Sequence, residues 1–196
     1  MPMGFDTEQD CTAQAPNIAA GNYGFVCRYY SSTDPGKCLT LNEKNALRAN
    51  QVAIVAIWEN GKDLTYFTPA QGQKDAMAAR NFALNLAQPN LSAVYFAVDN
   101  NFYAADVNGA ISQYFHAINS ALAANGPAPF RVGVYGSGLT CGSILAAGLA
   151  RYAMLSGSSK WFGSGFGGWH IQQGATAILF GMNVDMAQAQ NDYGAF

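Results

Sequence analysis

The sequence predicts an α/β fold: a single, compact (β/α)8 TIM-like barrel whose helices are reduced in the C-terminal third. Three observations carry this expectation. Apolar runs alternate with helical patterns along the chain, as β/α units around a parallel sheet do. Several of the runs, among them residues 52–58 and 93–98, are apolar on both faces, as strands covered on both sides must be. Eight candidate strands can be read, enough to close a barrel.

The strands are expected at residues 3–6, 23–30, 52–59, 93–99, 131–137, 151–156, 169–173 and 182–187. After the second strand, Thr40-Leu-Asn-Glu43 has capping-box spacing ahead of Ala46, Leu47 and Ala49, which starts a helix there. After the third, Thr68-Pro69-Ala-Gln71 combines an N-cap, a proline at the first helical position and a return cap, and the helix must stop before Pro89. After the fourth, Ile111, Tyr114, Phe115, Ile118 and Leu122 form one stripe of a helix over 105–124, with Asn125-Gly126-Pro127 as its stop. A further helix is expected over 139–149. Beyond Ala150 the strands are joined by glycine-rich connections such as residues 163–168, too short for full helices.

Composition narrows the function classes. The chain has 196 residues, half of them hydrophobic, which supports one core and one domain over 1–196. Net charge is −2 and only 11% of residues are charged, so nucleic acid is not an expected partner. No apolar run approaches the ~20 residues of a membrane span, so membrane insertion is not expected either. The start, Met1-Pro2-Met3-Gly4, has no signal-peptide pattern. A secreted or envelope-delivered protein would then be in its mature form or exported by another route. The four cysteines, Cys11, Cys27, Cys38 and Cys141, are scattered without a C-x-x-C pair and leave the redox compartment open.

Four acids stand where strands end: Asp6, Glu59, Asp99 and Asp185. They are a third of the 12 acidic residues, placed where an unpaired charge is costly. In a β/α barrel the C-terminal strand ends face one mouth, where active sites of this fold lie. The other tips add Arg28 with Tyr29 and Tyr30, Asn101, Tyr135 with Ser137, and Gln172 with Gln173. Acids, amides and aromatic rings at one concave mouth suit a sugar: rings stack on pyranose faces, amides bind hydroxyls, and carboxyl groups flank the bond to be cut. Trp58, Trp161, Trp169 and Tyr103 are candidate stacking surfaces. The plainer alternatives are that Asp6 or Asp185 only accepts bonds from Arg28 or loop amides, and that Glu59, ahead of Asn60-Gly61, is a solvated strand-end charge.

Other chemistries fit less well. His116 lies in a helical pattern and His170 in a strand, with no H-E-x-x-H or Cys/His spacing, so no metal site and no cofactor is expected. Cys141, near a helix start, is the one candidate for a peptidase nucleophile. Residues 136–143 are glycine-containing like a phosphate loop but lack its lysine, and read as a strand-to-helix turn.

The motifs Gly4-Phe5-Asp6, Phe25-Val-Cys-Arg-Tyr-Tyr30, Leu39-Thr-Leu-Asn-Glu43, Tyr95-Phe-Ala-Val-Asp99, Val132-Gly-Val-Tyr-Gly-Ser137, Trp169-His-Ile-Gln-Gln173 and Val184-Asp185 span nearly the whole chain. In this order they resemble the glycoside-hydrolase-like domain known as domain of unknown function 1906. That family is similar to the family 25 lysozymes, which cut the glycan strands of peptidoglycan. The resemblance implies a barrel mouth that binds peptidoglycan or a related polysaccharide. In those lysozymes the fourth strand ends in Asp-x-Glu, where the Glu is the general acid and the Asp stabilises a substrate-assisted intermediate. The matching positions here read Asp99-Asn100-Asn101, with an amide that cannot donate the proton. Asp6 and Asp185 match other acids of the lysozyme site.

The functional expectation is therefore a glycoside hydrolase-like protein acting on peptidoglycan. In this reading Glu59 is the general acid, Asp99 the nucleophile or amide-orienting base, and Asp6 and Asp185 tune the pair. Asn101 and Tyr135 place the N-acetyl group, and Arg28, Tyr30, Trp169 and Gln173 complete the substrate-binding set. The alternative is a catalytically inactive glycan-binding or anchoring pseudo-enzyme. An interbacterial effector or phage lysin is a third possibility and, as an effector, implies a cognate inhibitor protein.

Overall fold

The structure, a computed structural model, describes residues 1–124 and 128–196, so the helix stop read at Asn125-Gly126-Pro127 lies outside the described residues. Eight strands close into a barrel in chain order. They are β1 (Met3–Asp6), β2 (Phe25–Tyr30), β3 (Ala53–Trp58), β4 (Ala93–Ala97), β5 (Arg131–Gly136), β6 (Tyr152–Leu155), β7 (Ile171–Leu179) and β8 (Met182–Ala189). Neighbours from β1 to β7 pair in parallel.

The eighth strand departs from the all-parallel expectation. It runs antiparallel to both β7 and β1. The cause is the connection: only Phe180-Gly181 separates β7 from β8, both at positive φ (53° and 81°), and two such residues make a hairpin turn. A parallel return would need a crossover of a dozen or more residues.

The helices are α1 (Ala15–Ala20), α2 (Leu41–Ala49), α3 (Pro69–Asn85), α4 (Ser112–Ala123) and α5 (Gly138–Ala146). A π-turn over Val107–Ile111 leads into α4. Among the described residues no helix follows β6 or β7, in line with the reduced helices expected there. The stripe read for the fourth-strand helix is the buried one: Ile111, Tyr114, Phe115, Ile118 and Leu122 all lie against the barrel. Both expected capping boxes are half formed. Thr40 accepts from the Glu43 amide at 3.1 Å and Thr68 from the Gln71 amide at 3.2 Å. The return halves are missing because Glu43 turns inward to Arg28 and Gln71 reaches Asp75. Among the described residues no helix is long and apolar enough to cross a membrane.

Strand alternation divides the core in two. Val26, Ile54, Ala56, Trp58, Val94 and Phe96 face outward under the helices. Cys27, Tyr29, Val55, Ile57, Tyr95, Ala97 and Tyr135 face the barrel axis. The interior is tight enough that a Cβ on Gly133 would lie 2.7 Å from the Tyr95 ring. The C-terminal segment closes the end opposite the mouth: Phe196 exchanges backbone hydrogen bonds with Ile54 at 2.7 and 3.0 Å, and the Tyr95 hydroxyl donates to the Tyr193 carbonyl at 2.7 Å.

In the outer layer, Arg28 and Glu43 form a wholly buried ion pair. Arg28 Nε lies 2.6 Å and Nη2 3.2 Å from the two Glu43 oxygens, while Nη1 donates to the Thr7 carbonyl at 2.6 Å. Glu43 Oε1 also accepts the Cys11 amide at 2.9 Å. One pair thus ties β2, α2 and the β1–α1 loop together.

Candidate active site

The antiparallel β8 creates the centre of the mouth. Its register sets Asp185 directly opposite Asp6 on β1, so two carboxylates meet on one face. Gln173, on the inward face of β7, lies between them. Its Nε2 donates to Asp6 Oδ2 at 2.9 Å and to Asp185 Oδ2 at 3.2 Å. The other oxygens are also taken: Asp6 Oδ1 accepts from the Tyr29 hydroxyl at 2.7 Å and Asp185 Oδ1 from the Thr176 hydroxyl at 2.9 Å. The Gln173 amide is itself oriented, because its Oε1 accepts from the Tyr135 hydroxyl and the Gly157 amide, each at 3.2 Å.

Around this pair the cleft holds about 160 Å³ and is completed by Glu8, Ile57, Glu59, Asp99 and Tyr135. A second groove of about 330 Å³ shares Asp6, Glu8, Tyr29 and Asp185 with it and extends over Thr176 and Asn183. The mouth is thus one continuous depression with the acid pair at its waist. Glu59 is gripped by Lys37, whose Nζ lies 2.7 Å from Oε1, 3.8 Å from Glu8 and 4.6 Å from the centre of the Tyr29 ring.

The electrostatics separate the acids. Asp6 is only 5% exposed, and its carboxyl is pushed up from 3.8 to about 7. Burial is the main cause; the Asp185 and Glu59 charges add to it, and the hydrogen bonds from Tyr29 and Gln173 oppose it. Burial also raises Asp99, against the pull of Lys62, Lys37 and Tyr135. A carboxyl with a higher pKa in the folded than in the unfolded chain binds its proton more tightly when native. Its contribution is therefore present below about pH 4 and lost as the pH rises to about 7. The expected loss across that window is up to about 4 kcal/mol. Urea unfolding at pH 5 and pH 8 measures it: the wild type should be less stable at pH 8, and Asp6→Asn should remove most of the difference. Equal slopes in the two proteins would assign the proton elsewhere.

The structure brings Asp6, Glu59, Asp99, Asp185, Tyr135 and Gln173 to the cleft together. Four other residues of the sequence-read set are elsewhere. Arg28 and Tyr30 alternate with Tyr29 and so point outward: Arg28 pairs with Glu43, and Tyr30 donates to Gln88 at 2.8 Å and stacks on Phe82. Neither touches the mouth. Trp169 precedes β7, so it lies at the opposite end of the barrel beside Arg151, Tyr152 and His170. Asn101 follows β4 but turns away from the cleft, and its Oδ1 accepts the Phe162 amide at 2.7 Å. Trp58 is likewise in the outer layer and offers no stacking face. Cys141 is buried, with Sγ against the carbonyls of Gly136 and Met154, and burial pushes its thiol up to about 12, which does not suit a nucleophile.

Tyr29, read as a strand tip without an assigned role, lines the cleft, and Glu8, Lys37 and Thr176 are the residues absent from the sequence reading. Tyr29 shares the inward parity of Cys27, a signal present in the sequence. Lys37 sits in a loop turn and Thr176 beyond the expected end of the seventh strand, so no periodicity marks either.

The sequence model of the family described as "Rv2525c-like, glycoside hydrolase-like domain" matches residues 17–191. The chain is 29% identical over 191 residues to the uncharacterized protein FadG of Bacillus subtilis, taking in 91% of this chain and 32% of FadG. It therefore spans about a third of that relative's length. Its fold superposes on the Mycobacterium tuberculosis Tat-secreted protein Rv2525c with a TM-score of 0.83 and 22% identity, covering 99% of this chain and 98% of the other. It also superposes on GHIP, a glycosyl hydrolase 25 of Streptococcus pneumoniae, with a TM-score of 0.60 and 11% identity over 97% and 87% of the two chains. At these identities the structural likeness is one of fold.

Proposed function

The chain belongs to the Rv2525c-like, glycoside hydrolase-like domain family, and we propose that its barrel mouth hydrolyses the glycan strand of bacterial peptidoglycan, or a closely related polysaccharide, in the cell envelope. The observation that carries this reading is the Asp6–Asp185 pair, two carboxylates converging on one amide nitrogen with Asp6 raised to about 7. A general acid works best with a pKa near the working pH.

In this mechanism Asp6 gives its proton to the glycosidic oxygen as the bond to the anomeric carbon breaks. Asp99, half-buried in the same cleft, stabilises the positive charge that develops at that carbon and takes a proton from the incoming water. The water oxygen completes the new reducing end, and the proton passes from Asp99 back to Asp6. Glu59 is occupied by its ion pair with Lys37, which leaves the proton-carrying role to Asp6.

Incubation with purified peptidoglycan followed by mass analysis of the fragments tests the reading. Glycan fragments with new reducing ends are the expected product; release of peptides from uncut glycan would overturn it. One observation favours a second reading, binding without cleavage: the amide of Asn101 stands at the position that resembles the lysozyme acid and is already engaged by Phe162. Retention on purified cell wall with no new reducing ends would support that alternative.

A further inference from the structure

We propose that the rings of Tyr103 and Phe162 form a platform at the rim of the mouth that seats a sugar ring of the strand beyond the cleft, with Asn101 as the clasp that sets it. This rests on the glycan reading of the mouth. The two rings lie on different loops, one after β4 and one between β6 and β7. Their centroids are 5.3 Å apart with planes inclined at 42°, yet Tyr103 is 68% and Phe162 39% exposed. Two large aromatic faces are held in water side by side.

Both rings are held on fixed backbone. Phe162 is tied at each end of its peptide unit: its amide donates to Asn101 Oδ1 at 2.7 Å, and its carbonyl accepts the Leu139 amide at 2.9 Å. The next residue, Gly163, abuts α5 so closely that a Cβ on Gly138 would overlap its carbonyl. Tyr103 begins the helical turn ahead of α4, its carbonyl accepting from the Asp106 and Val107 amides at 3.0 and 3.1 Å. A ligand would lose little affinity to ordering such a surface.

The occupant follows from chemistry and size. Asp99, which lines the cleft, precedes Asn101 and Tyr103 on the loop after β4, and Phe162 is tied to the start of α5 after β5, so the platform stands at the same C-terminal strand ends as the cleft. A strand leaving the acid-rich cleft presents hydroxyl edges and apolar C–H faces in turn, and aromatic faces suit the latter. Two rings are far too small for a protein partner, which needs about 800 Å² on each side.

Calorimetric titration with N-acetylglucosamine oligomers of increasing length provides the test. Wild-type affinity should rise with length, and Tyr103→Ala with Phe162→Ala should abolish that rise, weakening the longest oligomer by about tenfold or more. Asn101→Ala should reproduce part of the loss, and Tyr103→Phe with Phe162→Tyr should retain the wild-type profile. If the alanine pair keeps the length-dependent gain, the platform is refuted while the glycan reading stands. If the wild type binds no oligomer of any length and no glycan strand, the glycan reading falls and the platform with it.

Discussion

Asp6→Asn is expected to lower glycan-strand cleavage by about 10²–10⁴-fold at neutral pH, the usual worth of a positioned acid–base group. Glu59→Gln should cost much less. The contrast follows from where each carboxylate lies. Asp6 is buried, raised to about 7 and shares the Gln173 amide with Asp185, whereas Glu59 meets the Lys37 ammonium at 2.7 Å. The asparagine can keep the local geometry, accepting from Gln173 through its oxygen and donating to Tyr29 through its amide, so the loss would report the proton and not a collapsed site. The pH profile gives an independent check. Wild-type cleavage should decline as the pH rises through about 7, where Asp6 loses its proton, and residual activity of Asp6→Asn should lack that limb. The opposite ranking of the two variants would return the acid role to Glu59.

Much of the architecture was legible in the sequence because strand and helix periodicities are local. The eight apolar runs and the stripe from Ile111 to Leu122 needed only burial on a known face. The antiparallel β8 is not legible because β7 is bare on its outer side: Gly174, Ala175 and Thr176 carry no apolar alternation, so the pattern stops at Gln173 and nothing in it marks the hairpin at Phe180-Gly181. The candidate site was readable to the extent that parity was applied. Glu59 continues Val55 and Ile57, and Asp99 continues Tyr95 and Ala97, all on the inward face. Arg28 and Tyr30 alternate with Tyr29 and belong to the outer layer, which strand-tip position alone conceals. Asn101 lies past the end of β4, where alternation no longer applies and a tertiary contact with Phe162 decides its direction.

Arg28→Ala should destabilise the fold by about 3–5 kcal/mol, the scale for removing one partner of a buried ion pair, read as a lowered urea midpoint. The penalty is large because the Glu43 carboxyl would lose its guanidinium partner in a wholly buried site, keeping only the Cys11 amide among the bonds it makes here. Glu43→Ala should cost a similar amount, stranding the guanidinium and the Cys11 amide together. Replacing both residues by apolar ones of similar volume often recovers such losses, yet recovery here should be incomplete. The Thr7 carbonyl and the Cys11 amide would each lose a buried partner, at about 1–3 kcal/mol apiece. Those two backbone groups bracket the loop that carries Glu8 and follows Asp6. Arg28 therefore bears on the mouth through the backbone of the β1–α1 loop, from behind the sheet and without reaching a substrate. The variants separate this role from direct binding. At a urea-free temperature where Arg28→Lys is fully folded, its cleavage of glycan strands should stay close to the wild type. A binding arginine in the cleft would instead show a raised KM in that variant with stability unchanged.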